Sequence, residues 1–184
     1  MAAAAERTGH LDGVVNCVGS ILLKPAHLTS VEEWRATLDV NLGTAFLAVK
    51  YGAKALGGRG GSIVLVASAA ARVGLANHEA VAAAKAGVIG LARSAAATYA
   101  ARGVRVNCVA PGLVRTALTE RLTANPAAER ASLALHPLGR LGEPGGVARA
   151  IVFLLDPEND WITGQALGVD GGLGSLKVRA DPMA

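Results

Sequence analysis

The chain has 184 residues, of which 52% are hydrophobic and 17% are charged. This composition excludes a disordered chain, and the length predicts one domain because domains average roughly 150 residues. The net charge of +4 comes from basic residues scattered singly along the sequence, so we expect neither a nucleic-acid-binding nor a membrane-binding surface.

Short apolar runs alternate with longer helical patterns along the chain. The predicted strands are Gly13–Val18, Ser62–Ala67, Val104–Val109 and Gln165–Val169. The predicted helices cover about 31–55, 79–100 and 145–155, with one or two short helices over 113–135 that break near Asn125 and Pro126. Strands that are apolar almost throughout are typical of parallel sheets covered on both faces. The order β-α-β-α-β-α-β therefore predicts an α/β fold with a Rossmann-like, doubly wound parallel sheet.

Cysteines and histidines give little sign of cross-links or metal sites. Cys17 and Cys108 each lie in an apolar run, so we expect two buried free thiols. The four histidines are well separated, and no metal-ligand spacing is found. No apolar stretch looks long enough to cross a bilayer, and residues 1–7 lack the form of a signal peptide. A reducing, cytoplasmic location is therefore expected.

Small and polar residues follow the predicted strands, where an open parallel sheet binds its ligands. In chain order they are Asn16, Cys17 and Gly19, then Ser68, then Pro111, Gly112 and Thr116, then Asp170, Gly171 and Gly172. Asn41 and Lys85 lie within predicted helices. Taken singly, each of these residues has an ordinary alternative explanation: a turn glycine, a capping serine, a surface lysine or a polar residue that bends a helix.

Taken together, these residues form ordered motifs that resemble those of the short-chain dehydrogenase/reductase family over nearly the whole chain. The matching segments are Asn16–Gly19, Asn41–Thr44, Gly61–Val64 with Ser68, Ala83–Gly87, Arg105–Gly112 with Thr116, and Ile162–Gln165 with Val169–Gly172. Motifs in this order and spacing are far more specific than a single glycine-rich match. The resemblance implies a Rossmann-like fold and an oxidoreductase that transfers a hydride between NAD or NADP and an alcohol or carbonyl substrate.

The resemblance also implies catalytic roles for three residues. Asn41 would hold a water in a proton relay, Ser68 would hydrogen-bond the substrate oxygen, and Lys85 would hold the nicotinamide ribose hydroxyls. These roles are chemically sensible, because hydride transfer to a carbonyl develops negative charge on oxygen and needs a positioned donor and a proton source.

The cofactor-binding residues implied by the resemblance follow the first and third predicted strands. Asn16 and Gly19 would stabilise the sheet edge near the cofactor, and Lys85 is shared with the catalytic set. The residues expected to contact the nicotinamide are Pro111, Gly112 and Thr116.

The chain departs from the family pattern at the proton donor. The family has a tyrosine four residues before the lysine, whose charge lowers the tyrosine pKa from about 10 toward working pH. Here that position is Val81, and valine cannot transfer a proton. His78, one helical turn earlier and polarised by its neighbour Glu79, is a candidate substitute acid; the alternative is a surface histidine at a helix start.

The second departure concerns the glycine-rich turn T-G-x-x-x-G-x-G, which binds the cofactor pyrophosphate at a helix N-terminus. The nearest candidate, Thr8-Gly9, has Val15 in place of the last glycine. We therefore expect residues 1–184 to form one partial Rossmann-like domain, the nicotinamide and substrate half, that lacks the first β-α-β-α-β part. Binding of NAD or NADP should then be impaired, the strand over 13–18 should be an exposed apolar edge, and residues 177–184 should be a flexible tail.

The sequence and its family resemblance are compatible with two functions. The first is an oxidoreductase of the short-chain dehydrogenase/reductase type. The alternative is a catalytically inactive, truncated relative that acts as a pairing subunit. Under both, the resemblance implies a homo- or hetero-oligomer formed through the helices 31–55 and 79–100. Whether the chain is an active enzyme is not decided by its residues.

Overall fold

A computed structural model describes residues 2–177 of the chain and shows one four-stranded parallel sheet in the order β1-β2-β3-β4. The strands are Gly13–Asn16 (β1), Gly61–Val66 (β2), Val104–Pro111 (β3) and Ala166–Val169 (β4). Within these residues the α-helices are Ala2–Thr8 (α1), Val31–Leu38 (α2), Thr44–Ala55 (α3), Glu79–Tyr99 (α4), Glu120–Thr123 (α5), Pro126–Leu135 (α6) and Pro144–Leu155 (α7). The predicted α/β class and parallel sheet are confirmed. Residues 178–184, most of the predicted tail, lie outside the described residues.

Helices cover both faces of the sheet. Ile63 and Leu65 of β2 are fully buried in the core that contains the apolar sides of α3 and α4. Val64, between them, is buried on the other face, in a smaller core with Leu154 of α7. This alternation follows from the two-residue repeat of a strand, and it explains why the run Ser62–Val66 is apolar almost throughout.

Two buried side chains fix the end of α7 to the sheet. Arg105 donates hydrogen bonds to the carbonyls of Leu154 at 2.8 Å, Leu155 at 3.3 Å and Asp156 at 3.0 Å. Ser62 also donates to the Leu154 carbonyl, at 2.8 Å. The last carbonyls of a helix have no partner within the helix, so these bonds satisfy them and hold α7 antiparallel to the strands. The other end of α7 therefore lies beside the carboxyl edge of the sheet.

Two predicted elements have different bounds in the structure. β1 ends at Asn16 rather than Val18, because the Asn16 side-chain oxygen accepts a hydrogen bond from the Val18 N–H at 2.9 Å and turns the chain. The predicted helix 31–55 is divided into α2 and α3 by a π-helical turn over Asp39–Gly43. A capping box begins α2, with the reciprocal bonds between Ser30 and Glu33 both present.

The expectation that both cysteines are buried is wrong for Cys17. Cys108 is buried in β3, whereas Cys17 is exposed. The early end of β1 places Cys17 in a loop instead of in the sheet. Burial raises the pKa of the Cys108 thiol to about 12, so Cys108 is un-ionised and unreactive at neutral pH.

The expectation that no stretch could cross a bilayer also needs correction. The helical segment Glu79–Arg102 is long and apolar enough to do so by length and composition. Half of its apolar window is buried inside the fold, where α4 packs against β3. These contacts are those of a core helix.

β1 lies at one edge of the sheet and pairs with β2. Val15 is 39% exposed and Val18 is 53% exposed. With Leu47 and Tyr51 of α3, they line an open recess of about 800 Å³, which we call the edge groove. The predicted apolar edge strand is therefore confirmed within the described residues.

Candidate functional site

The carboxyl ends of β1, β2 and β3 surround a cleft of about 430 Å³, which we call the lysine cavity. The residues predicted from the sequence that line it are Gly19, Asn41, Ser68, Lys85, Pro111, Gly112 and Thr116, and Val81 lies among them. Val147 and Ile151 of α7 close one side. The fold therefore brings together residues that are far apart in the sequence, as an open parallel sheet does at this edge.

Lys85 is the buried basic group of this cavity. The residue is 6% exposed, and its Nζ donates a hydrogen bond to the Val66 carbonyl at 2.9 Å. Burial lowers the pKa of Lys85, with partial opposition from the thiols of Cys108 and Cys17. Lys85 forms no ion pair with a carboxylate within residues 2–177. The cavity thus contains an amine whose positive charge is not compensated.

Asn41 reaches the same place from the π-helical turn. The residue is 1% exposed, and its Nδ2 donates to the Ser20 hydroxyl and the Thr37 carbonyl, both at 2.9 Å. Its Oδ1 accepts from the Ser20 N–H at 3.1 Å. π-helical turns of this kind are frequent at functional sites, and here the turn joins the helix to the loop after β1. A role for Asn41 in holding a water stays a prediction.

Gly19 lies between these two polar groups. A Cβ at this position would be 3.0 Å from Asn41 Oδ1 and 3.2 Å from Lys85 Nζ. Such distances are tighter than ordinary contacts, so any larger residue would displace the amide or the amine. The lack of a side chain at Gly19 therefore keeps the Asn41 and Lys85 groups in place.

Ser68 and Val81 lie where the lysine cavity meets a second cleft of about 340 Å³. We call this second cleft the histidine cavity, because His78 and His136 line it. Ser68 Oγ accepts a hydrogen bond from the Ala70 N–H at 3.2 Å, which leaves its own proton free to donate. Val81 is 6% exposed and presents only methyl groups, so residue 81 supplies no proton at this junction.

His78 reaches the junction from the start of α4. It lines the histidine cavity together with Ser68 and Val81, and its Nδ1 lies 2.7 Å from the Ala76 carbonyl. Polarisation by Glu79 is not seen, since the described residues include no hydrogen bond between the two side chains. Its role as a substitute acid stays a prediction.

His136 is a site residue that the sequence analysis missed. It is buried, its Nδ1 lies 2.6 Å from the Ser132 carbonyl, and its Nε2 lies 3.1 Å from the Leu113 N–H. These partners assign a neutral ring that donates from Nδ1 and accepts at Nε2. His136 thus ties α6 to the loop after β3. Gly112 leaves room for it, because a Cβ there would be 2.5 Å from Nε2.

Asn16 lies outside the lysine cavity. Its Nδ2 donates to the Thr44 hydroxyl at 3.2 Å, and the residue lines the edge groove. Asn16 therefore ties β1 to α3 at the sheet edge, and it is not one of the residues around Lys85. No group of three or more possible metal ligands occurs in the described part of the chain.

Comparison with known proteins gives concordant matches. The family model described as enoyl-(acyl carrier protein) reductase matches residues 1–174. The 3-oxoacyl-[acyl-carrier-protein] reductase FabG of Thermotoga maritima is 40% identical over 174 residues, which cover 91% of this chain and 68% of that protein. The inactive 2-(S)-hydroxypropyl-CoM dehydrogenase 2 of Xanthobacter autotrophicus is 39% identical, with 96% of this chain and 79% of that protein covered.

Solved structures agree with the fold. A short-chain type dehydrogenase/reductase from Mycobacterium ulcerans superposes with a TM-score of 0.89 at 35% identity, over 94% of this chain and 64% of that one. ElxO with NADP bound superposes with a TM-score of 0.88 at 29% identity, over 95% of this chain and 72% of that one.

Proposed function

Because the chain belongs to the short-chain dehydrogenase/reductase family, we propose that its lysine cavity takes the nicotinamide end of NAD or NADP and that its histidine cavity takes the substrate. The chain is an oxidoreductase of this family's type, which transfers a hydride between NAD(P)(H) and an alcohol or carbonyl compound. The observation that supports this assignment is the position of Ser68 at the junction of the two cavities.

The residues of the lysine cavity fit the nicotinamide end of the cofactor. The amine of Lys85 suits the ribose hydroxyls, while Pro111, Gly112 and Thr116 provide a wall for the nicotinamide ring and its carboxamide. When bound, the cofactor supplies or accepts the hydride, and the protein supplies geometry. The sequence contains no T-G-x-x-x-G-x-G turn, so no residue is assigned to the pyrophosphate.

The chain's own part in the reaction is to orient the carbonyl and stabilise its oxygen. The free hydroxyl proton of Ser68 would donate to the substrate oxygen as negative charge develops there. Residue 81 cannot complete the transfer by supplying a proton. Proton transfer must then use water or His78, and loss of a positioned acid typically lowers the rate by about 10²–10⁴-fold.

The test is to restore the missing hydroxyl with Val81→Tyr. Val81 and Lys85 are four residues apart on one helix face and line one cavity, so the new phenol would lie near the amine. We expect carbonyl reduction by NADH or NADPH to rise by about 10²–10⁴-fold. The matched control is Val81→Phe, which fills the same space without a hydroxyl. Equal rates for the two variants would contradict the proposal.

Cofactor titration separates the two functions left open by the sequence. Binding of NADPH or NADH to the unmodified chain supports the oxidoreductase. No binding at saturating cofactor would instead favour the inactive pairing subunit, for which Val81 is the specific evidence. If turnover is measurable, His78→Ala should lower it when His78 is the substitute acid, and unchanged turnover would eliminate that role.

We further propose that the substrate is an uncharged alcohol or carbonyl compound. The histidine cavity has leucine and alanine walls from α5, α6 and neighbouring loops, such as Leu75, Leu122, Ala131 and Leu135. No aspartate, glutamate, lysine or arginine is among the described residues that line it. Burial of a charged substrate group there would have no compensating partner.

An oligomer and a reducing location remain part of the proposal. Trp34, Phe46 and Tyr51 are exposed on the helices 31–55, which supports pairing through these helices and the helix 79–100. Both cysteines are free, which supports a cytoplasmic location.

A further inference from the structure

We propose that Lys85 has a second activity as an amine nucleophile, which condenses with the carbonyl group of a small apolar aldehyde or ketone to form an imine. This activity needs no dinucleotide and goes beyond the proposed oxidoreductase function. It would make the lysine cavity a site for reversible covalent capture of carbonyl compounds.

The environment of Lys85 favours the neutral, nucleophilic form of the amine. Burial lowers the pKa of Lys85, and no carboxylate within residues 2–177 pairs with its Nζ. The polar side chains that line the cavity with it, such as Asn41 and Ser68, are uncharged, and the titrating groups that act on its pKa are the thiols of Cys108 and Cys17. Lysines that form imines in enzymes are activated by burial of this kind.

Val81 strengthens this effect because it removes a competing partner. A tyrosine at this position would bring an ionisable hydroxyl next to the amine and stabilise the ammonium form. Val81 instead adds an apolar wall to the cavity. The Nζ atom is held in one place by its hydrogen bond to the Val66 carbonyl, which a neutral amine can still donate while its lone pair stays available.

The same cavity offers access and a donor for the carbonyl oxygen. The lysine cavity meets the apolar histidine cavity at Ser68, whose hydroxyl proton is free to donate. A carbonyl compound entering by this route would have its oxygen beside Ser68 and its carbon open to attack from Lys85. The arrangement supplies both groups that imine formation requires.

The proposed step is balanced without an oxidant or a reductant. The Nζ lone pair forms a bond to the carbonyl carbon, and one nitrogen proton is transferred to the oxygen, giving a carbinolamine. Loss of the hydroxyl group with a second proton, as water, then leaves the C=N bond. Addition of water reverses the reaction.

The experiment is reductive trapping of the folded chain with butanal and sodium cyanoborohydride at neutral pH, without dinucleotide. The reagent delivers a hydride to the imine and leaves a stable secondary amine, which peptide mass spectrometry locates. Lys50 and Lys54 are exposed and serve as internal references in the same molecules. We expect Lys85 to be alkylated at least about tenfold faster than either, and the advantage should disappear in denaturing urea.

Two results would overturn the proposal. One is alkylation of Lys85 at or below the rate of Lys50 and Lys54 in the folded chain. The other is an equal Lys85 advantage in folded and unfolded chains, since the cavity would then have no part in it. Lys85→Arg keeps the charge but cannot form the imine, so residue 85 should carry no label in this variant while Lys50 and Lys54 are alkylated as before. Because no cofactor is present, failure of trapping would leave the oxidoreductase proposal intact.

Discussion

Lys85 links the chemistry of the cavity to the stability of the fold. An ammonium group taken out of water without a counter-charge is destabilising, and a buried lysine responds by lowering its pKa. Lys85 is a buried lysine of this kind: it is 6% exposed, and its Nζ donates a hydrogen bond to the Val66 carbonyl. The same burial that activates the amine therefore opposes folding at neutral pH.

The lowered pKa of Lys85 predicts that the stability of the fold depends on pH, and it fixes the sign of that dependence. An unfolded lysine titrates near pH 10.4, and the pKa of Lys85 is lower in the folded chain. Between these two values the unfolded chain binds the proton that the folded chain lacks, so the free energy of unfolding rises with pH. Below the folded pKa both states are protonated, and the penalty is constant.

Urea unfolding of the native chain and of Lys85→Met, from neutral pH to about 10, measures this effect. The stability of the native chain relative to the variant should increase with pH. Other titrating groups are shared by the two proteins and cancel in the comparison. A difference that does not change with pH would show that Lys85 stays charged in the folded chain.

Most residues of the candidate site could be predicted from the sequence, because they belong to motifs with fixed spacing at strand ends. His136 could not, since its role depends on a turn that brings it back from α6 to Leu113. The apolar neighbours of Cys17 predict that it belongs to the sheet, whereas it is exposed. The hydrogen bond from Val18 to Asn16 ends β1 first, and such a local side-chain bond competes with strand pairing without changing the hydrophobic pattern.

At the scale of elements, the helix predicted over 31–55 is another case that the hydrophobic pattern predicts only in part. Its apolar spacing predicts one continuous helix, and a capping box at Ser30 begins it. The π-helical turn over Asp39–Gly43 is not indicated by the apolar spacing of the sequence. What fixes the turn is tertiary, namely the bonds from Asn41 to Ser20 in the loop after β1.

The attachment of α7 to the sheet gives a prediction at the same scale. Arg105→Met keeps the apolar stem but removes the donors to Leu154, Leu155 and Asp156. We expect a loss of about 1.5–3 kcal/mol in the free energy of unfolding, the range for hydrogen bonds made by charged groups. Ser62→Ala removes one neutral donor to the Leu154 carbonyl, and we expect the free energy of unfolding to fall by only about 1 kcal/mol.

Urea unfolding of the two single variants and the double variant checks this assignment. Both side chains bond the Leu154 carbonyl, so the double variant should lose more than the sum of the singles once that carbonyl has no partner. Strict additivity would indicate that the two residues act separately. An Arg105→Met variant as stable as the native chain would remove the proposed role in holding α7.

At the scale of the whole molecule, the parallel sheet could be predicted from the alternation of strands and helices, but the strand order could not. Crossovers of one hand between successive neighbours would put all the connecting helices on one face, whereas α7 packs on the face opposite α3 and α4. The exposed edge at β1 follows from that order. Pairing through the edge groove and pairing through the helices are two different ways for such a chain to associate. An unpaired, uncharged strand edge is a template for another chain, and the exposed side chains of α3 offer an apolar helix face.

A pair of matched lysine variants distinguishes these routes. Val15→Lys places a charge at the strand edge, a device that discourages edge pairing. Phe46→Lys places the same charge on the exposed face of α3, and Phe46 does not line the edge groove. Light scattering across a concentration series should show self-association of the native chain, reduced more by Phe46→Lys than by Val15→Lys, as pairing through the helices requires. The opposite order would assign the association to the strand edge, and a native chain that stays monomeric would contradict both routes.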